Sequence, residues 1–458
     1  MKRSKKLYTL LGVLVVVLIA TIGVLKYEEK KEEIKNSGEV ILEVAAEDVT
    51  GLSWEYDSES LAFYKDGSWF YDEDEAFPVN EEKITSLLEE FEQVQASFVI
   101  ENVEDYGQYG LDNPECTVTL ETEEKTYEIS LGDFSTMDSE RYMSMGDGNV
   151  YLISQDPVEA FEITLDDMIA HDEIPDMDDV TEITLAGAKN YTVTLEETST
   201  TYSEDDLYYI EQDGNMLPLD TDNVESFIQT IKNLDLTDYK TYNVTENDLA
   251  VYGLAEPELT ITVKYPEEDE DGEKPIQTFT LSVGRDPEEA DSAENDDIIA
   301  YVRIGESKII YEITSTEYKE LVTTTYDELR HQEIFWADFD SVNQIQITLE
   351  GENYTITADG KDDDRTYKYG DEEIEIDDLK TAFTGLESDK FTDEEATGKE
   401  EISLTLQLEN DNVSEVTITF YRCDGSRCLA VVDGEPTALV SRADVVDLIE
   451  AVNAIVLE

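Results

Sequence analysis

The sequence predicts an α+β protein of three tandem repeat units, each a mostly antiparallel β-sheet with one or two packed helices, following an N-terminal transmembrane helix. Three observations predict it. One strand pattern opens every unit, and one amphipathic helix stripe follows each time. The stretch Tyr109-Gly110-Leu111-Asp112-Asn113-Pro114 also returns as Tyr252-Gly253-Leu254-Ala255-Glu256-Pro257, both times ahead of an alternating apolar strand. The boundaries read as a basic tail at 1–6, a membrane helix at 7–25, a charged stalk at 26–39, and repeat units at 40–175, 176–337 and 338–458.

Leu7 to Leu25 is an uncharged, mostly apolar run of 19 residues, long enough to cross a bilayer core as a helix. Lys2, Arg3, Lys5 and Lys6 precede it, which keeps the N-terminus in the cytoplasm and sends the rest of the chain outside, as a single-pass protein of the cell membrane. No small-x-small site with a polar exit follows, so an uncleaved anchor is preferred to a signal peptide. No Cys at its end offers a lipid attachment. Glu28 to Lys35 supplies the stalk. Beyond Lys26 the chain carries 26 basic against 112 acidic side chains, a net of −86. That field repels nucleic acid and anionic lipid headgroups. With 458 residues, 40% of them apolar, the chain has the material for several cores.

The opening strands are Asp48 to Trp54, Asp179 to Leu185 and Ser341 to Ile347. Aromatic residues around a glycine then mark a hairpin, at Leu61 to Phe70, at Leu207 to Gly214 and more loosely at Thr366 to Gly370. One helix follows in each unit, with Asn80 and Asp220 as N-caps of the first two. Its apolar stripe falls on Ile84, Leu87, Leu88 and Phe91, on Val224, Phe227, Ile228 and Ile231, and on Leu379, Ala382, Phe383 and Leu386. A second strand set begins at Cys116 to Leu120 and Leu259 to Val263, and its next strand ends at Gly132 or Gly284. The third unit keeps such strands at Ile402 to Leu408, Val416 to Tyr421, Cys428 to Val432 and Thr437 to Val440. It lacks Tyr-Gly-Leu-x-x-Pro and closes on a helix from Arg442 to Val452. Glu267 to Lys274 and Glu288 to Asp297 read as acidic loops between strands.

In the repeated stretch, Gly110 and Gly253 permit a sharp turn, and Leu111 and Leu254 anchor it to a core. Pro114 and Pro257 stand just before a strand, where the missing donor is tolerated. Tyr109, Gly110, Leu111 and Pro114, with Tyr252, Gly253, Leu254 and Pro257, are therefore read as a structural joint between each unit's helix and its second strand set.

These short motifs, together with an Asp-Val-Thr opening strand behind a membrane anchor, resemble the bacterial DUF4340 family, a domain of unknown function. The resemblance covers about residues 40 to 335 well and the third unit weakly. It implies a membrane-anchored, extracytoplasmic setting similar to that of auxiliary proteins of ABC-type export and gliding-motility transport systems. It carries no catalytic residues to transfer.

The residues themselves assign none either. No nucleophile elbow, phosphate loop, dinucleotide fingerprint or zinc signature is present. The only two histidines, His171 with Asp167 and Glu173, and His331 with Asp327 and Glu333, occupy matching places at the two junctions between units. Each is a candidate metal ligand or acid/base, but a histidine after a short helix also serves the helix carbonyls and dipole, and that structural reading is preferred. The acidic runs Glu267 to Gly272 and Asp359 to Asp364 lack EF-hand spacing. Trp54, Trp69 and Trp336 read as core. Cys116 alternates with Val118 and Leu120 as a small buried hydrophobe. Cys423 and Cys428 bracket Asp424-Gly425-Ser426-Arg427, a hairpin composition, and form either a cross-strand disulfide or two independent thiols. No cofactor or metal is assigned. The functional expectation is a non-enzymatic, membrane-anchored binding or scaffold protein, whose partners are ABC-transporter subunits or envelope proteins. The alternatives are a cell-envelope or polysaccharide-binding module using exposed aromatics, and a hydrolase acting through its acids.

Overall fold

Strict alternation of side chains builds the sheets. In the strand Leu259–Pro266, Leu259, Ile261, Val263 and Tyr265 are buried while Thr260, Thr262 and Lys264 are half-exposed, so one face meets a core and the other meets water. Cross-strand partners share a face, so Thr192, Thr184, Thr262 and Thr280 line up as one hydroxyl row across four strands. Glu400–Leu408 repeats the pattern, with Ile402, Leu404, Leu406 and Leu408 buried. The protein is seen in a computed structural model that describes residues 38–137, 139–212, 214–269, 271–287, 298–360 and 365–457. The anchor at 7–25, nearly all of the stalk and the acidic loop 288–297 lie outside the described residues. Among those residues no helix is long and apolar enough to cross a membrane.

The fold is α+β, with three nine-stranded antiparallel sheets. The second sheet shows the path. Four strands, Glu182–Gly187, Tyr191–Leu195, Tyr208–Gln212 and Asn215–Pro218, run as a meander outward to one edge. The helix Thr221–Lys232 follows, and the short strand Tyr239–Thr241 then lies at the opposite edge. From there the chain crosses back to the middle. Leu259–Pro266 pairs with Glu182–Gly187, and Ile276–Arg285, Ala300–Ile304 and Ile310–Ile313 meander out to meet the short strand. The third sheet has the same strand order. The first sheet lacks one strand of the outward meander and gains Glu39–Leu42 at the other edge, beside Val94–Ile100. The hairpins turn at Gly67, Gly214 and Gly370, all at positive φ, as the aromatic-glycine pattern requires.

The helices form where the stripes lie. Asn80 accepts from the Lys83 amide to start Glu81–Glu89, and Asp220 accepts from the Asp222 amide to start Thr221–Lys232. Val224, Phe227, Ile228 and Ile231 are all buried. In the third repeat Leu379 and Phe383 of Asp377–Thr384 join Val445, Leu448 and Val452 of Arg442–Val456 in one core with the sheet. The chain divides into two compact units after Asp172, so the second and third sheets belong to one unit, Glu173–Glu458.

The crossing back to the middle of the sheet depends on glycine. Gly110 and Gly253 end short 3-10 turns in the left-handed region, at φ of 71° and 67°. A Cβ on Gly110 would stand 2.7 Å from the Asp133 amide nitrogen, and one on Gly253 would stand 2.2 Å from the Arg285 carbonyl. Across the contact, a Cβ on Gly132 or Gly284 would reach Tyr109 O at 2.2 Å or Gly253 O at 2.5 Å. The two sequence motifs are thus the two sides of one backbone-on-backbone contact. Gly132 does not end its strand, which runs on as Thr126–Ser135 through a register shift. The turn is held by Leu111 and Leu254, both buried, and by ring contacts of Tyr109 with Tyr142 at 5.0 Å and Tyr252 with Tyr301 at 5.2 Å. The third repeat has a counterpart without the motif. A Cβ on Gly398 would lie 1.7 Å from the Arg422 carbonyl, and the strand register makes Arg422 the equivalent of Arg285.

Gly67 also has positive φ but open space around it, which separates backbone strain from overlap. Gly67→Ala is expected to cost only the left-handed penalty of about 1–2 kcal/mol. Gly110→Ala adds a backbone collision and should cost roughly twice that or more. Thermal unfolding of the two variants checks the difference; equal shifts would show that the close approach is immaterial.

Candidate functional site

Two arrangements gather polar side chains. The first recurs in every sheet. Cys116, Leu259 and Ile402 each pair with the last residue of their sheet's opening strand, Tyr56, Gly187 and Leu349. The residues before them, Glu115, Glu258 and Glu401, are therefore equivalent, and each meets an arginine. Glu115 binds Arg141, whose guanidinium also grips Asp156 through two bonds of 2.5 and 2.8 Å and donates to Gly132 O at 2.6 Å. Glu258 accepts from Arg285 at 2.8 Å and from the Tyr318 hydroxyl at 2.7 Å. Glu401 stands 3.6 Å from Arg442 and 4.0 Å from Arg422. These pairs tie the start of the second meander to its neighbours. Pro114, Glu115 and Asp112 also line an open groove of about 720 Å³ with Glu55, Tyr56 and Asp57. There the Tyr56 hydroxyl donates to Glu162, which, with partial burial, pushes its pKa up to about 12.

The second arrangement lies where the second repeat hands over to the third. Asp206, only 2% exposed, comes from the long loop between Tyr191–Leu195 and Tyr208–Gln212. Its carboxylate accepts from Thr201 Oγ1 at 2.6 Å and Trp336 Nε1 at 2.9 Å, and His331 Nε2 lies at 2.8 Å. An ionised carboxylate only accepts, so Nε2 carries the proton. The His331 ring stacks on Trp336 at 4.4 Å and 13°. Its Nδ1 faces Asp220 Oδ2 at 3.5 Å and Glu333 Oε2 at 3.9 Å. Burial acts to raise the Asp206 carboxyl, but the donors His331, Thr201 and Trp336 outweigh it and hold it below the ordinary aspartate value.

The same loop clamps the third repeat. Tyr202 packs on Phe335 and Trp336 and against the third core. Asn410 donates to Tyr202 O, and Asn412 to Ser199 O and Thr201 O, each at 3.0 Å. The junction segment itself bonds to the third repeat through Ile334 N to Leu386 O and Ser388 N to Gln332 O, and Arg330 lies over the Phe391 ring at 3.8 Å.

The structure corrects two sequence readings. His171 and His331 are not equivalent. The N-cap amides of Asn80 and Asp220 donate to Met168 O and Leu329 O, which makes those two residues counterparts and places Ala170, one residue earlier, where His331 stands. Asp167 is engaged in a capping box with Thr164, and Asp327 lies against Arg330, so of the acids near the histidines in sequence only Glu333 approaches the His331 ring among these contacts. Trp336 is half-exposed and hydrogen-bonded, unlike the buried Trp54 and Trp69. Of the two alternatives left open for Cys423 and Cys428, the structure has the independent thiols. The hairpin pairs Cys428 with Arg422 and bonds Cys423 N to Arg427 O, so the two thiols fall on opposite faces, Cys428 buried and Cys423 exposed. Burial pushes the Cys116 thiol up to about 12 and the Cys428 thiol up to about 11, as inert core groups. Asp206 and Asp220 were not legible as partners of His331, because they lie 125 and 111 residues away in sequence.

A family model described as a domain of unknown function, DUF4340, matches residues 69–216 and 211–407. The matches start later than the resemblance read from the motifs and run into the third sheet. Each begins late in one sheet's outward meander and ends in the next sheet, so the family boundaries are out of phase with the folded sheets. Comparison with curated proteins and with solved structures finds no match.

The lowered Asp206 pKa fixes a sign. Its stabilising contribution is fully present above the unfolded value of about 3.9 and is lost as pH falls through the lower folded value. Asp206→Asn is expected to cost about 3 kcal/mol at neutral pH and to remove part of the acid limb. Thermal melts between about pH 3 and 7 check both, and an unchanged acid limb would count against this role.

Proposed function

With the premise that the chain belongs to the DUF4340 family, we propose that it is a non-enzymatic, membrane-anchored scaffold or binding protein of the extracytoplasmic face, serving as an accessory to an ABC-type transport system. The observation that carries the reading is the 19-residue apolar run Leu7 to Leu25 behind Lys2, Arg3, Lys5 and Lys6, a span-length segment with positive-inside flanks. The rest of the chain suits a scaffold. Tandem sheets of related topology present repeated polar faces, and the net charge of −86 beyond Lys26 keeps such an ectodomain soluble and away from anionic lipid. The repeated Tyr-Gly-Leu residues are accounted for by packing, which leaves partner recognition to surfaces.

Two measurements test this. The full chain should sediment with membranes, and externally added protease should digest its ectodomain in intact cells; protection of the ectodomain would overturn the orientation. Purification in detergent should then recover transporter subunits or envelope proteins, and recovery of neither would overturn the accessory role.

A further inference from the structure

We propose that Asp220, His331 and Glu333 form a site for one divalent transition-metal ion, zinc by its ligand chemistry, that fastens the helix of the second repeat to the junction leading into the third. Among the described residues these three bring a carboxylate oxygen, an imidazole nitrogen and a second carboxylate oxygen within 4.8 Å of one another. The edges from His331 Nδ1, 3.5 Å to Asp220 and 3.9 Å to Glu333, are close to those of a tetrahedron. Metal–ligand bonds of about 2.0–2.2 Å give edges of about 3.3–3.6 Å, so the two edges from the histidine need only a small closure.

The independent observation is the group behind the ring. His331 Nε2 donates to Asp206, a nearly fully buried carboxylate held in place by Thr201 and Trp336. Carboxylate–histidine–metal relays use this arrangement to fix the tautomer and aim the other nitrogen at the ion. Here the other nitrogen is aimed between two carboxylates. Asp220 is itself immobilised, since its Oδ1 caps the Asp222 amide while Oδ2 faces the histidine. Glu333 is 41% exposed at its side chain and opens the site to solvent. One imidazole with two carboxylates selects zinc-like ions over calcium and magnesium, which favour all-oxygen shells. The site requires neither membrane anchoring nor a transport role.

The full chain, purified in detergent and stripped with EDTA, is titrated with Co²⁺ while visible d–d absorption is followed, and Zn²⁺ is then added in competition. One saturable equivalent, displaced by Zn²⁺, is expected. Asp220→Asn keeps a good helix cap, and Glu333→Gln changes a half-exposed rim, so both variants should fold and each should weaken binding by about 10-fold or more. His331→Gln should abolish it. Absence of a saturable equivalent overturns the proposal, as does an equivalent that survives unchanged in Asp220→Asn and Glu333→Gln, since that ion would sit on other surface acids.

Discussion

Each sheet depends on a contact in which two stretches of bare backbone touch. After the helix the chain lies at or next to one edge, and it must return to the middle to pair with the opening strand. It does so across the end of a neighbouring strand, at Gly110 against Asp133, at Gly253 against Arg285 and at Gly398 against Arg422. A side chain on these glycines would separate the layers. The order of nine strands therefore rests on the absence of a single carbon atom, and the tyrosines, leucines and glutamates nearby secure a crossing that glycine makes possible.

The second and third repeats share one compact unit, and a long loop of the second reaches the third. The second sheet carries residues 196–207 between Tyr191–Leu195 and Tyr208–Gln212. That loop brings Tyr202 to the third core and Asp206 to His331. An aspartate this buried is tolerated because three donors satisfy it.

Much of this fold was legible in the sequence, for definite reasons. Helix stripes at Ile84, Val224 and Leu379, caps at Asn80 and Asp220, and glycine turns at Gly67 and Gly214 are local, so periodicity and turn chemistry reveal them. The equivalence of Glu401 with Glu115 and Glu258 was hidden, because only the strand register aligns a repeat whose crossing segment has been shortened. The histidine offset was hidden too. Matching letters aligned His171 with His331, whereas the hydrogen bond from the helix cap sets the spacing one residue apart. The candidate site was legible only at His331 and Glu333; Asp206 and Asp220 are brought there by tertiary structure, which no local pattern encodes.

The arginine contacts show what has been preserved among the repeats. Arg141 comes from the third strand of its meander, Arg285 and its equivalent Arg422 from the end of the second strand, and Arg442 from the closing helix, yet all reach a glutamate at one position. The second and third copies keep an arginine at the same register position, while the first has Asp133 there and delivers the charge from the neighbouring strand. A positive charge beside this glutamate is thus common to all three copies, although a comparison of the copies position by position would find it in only two of them.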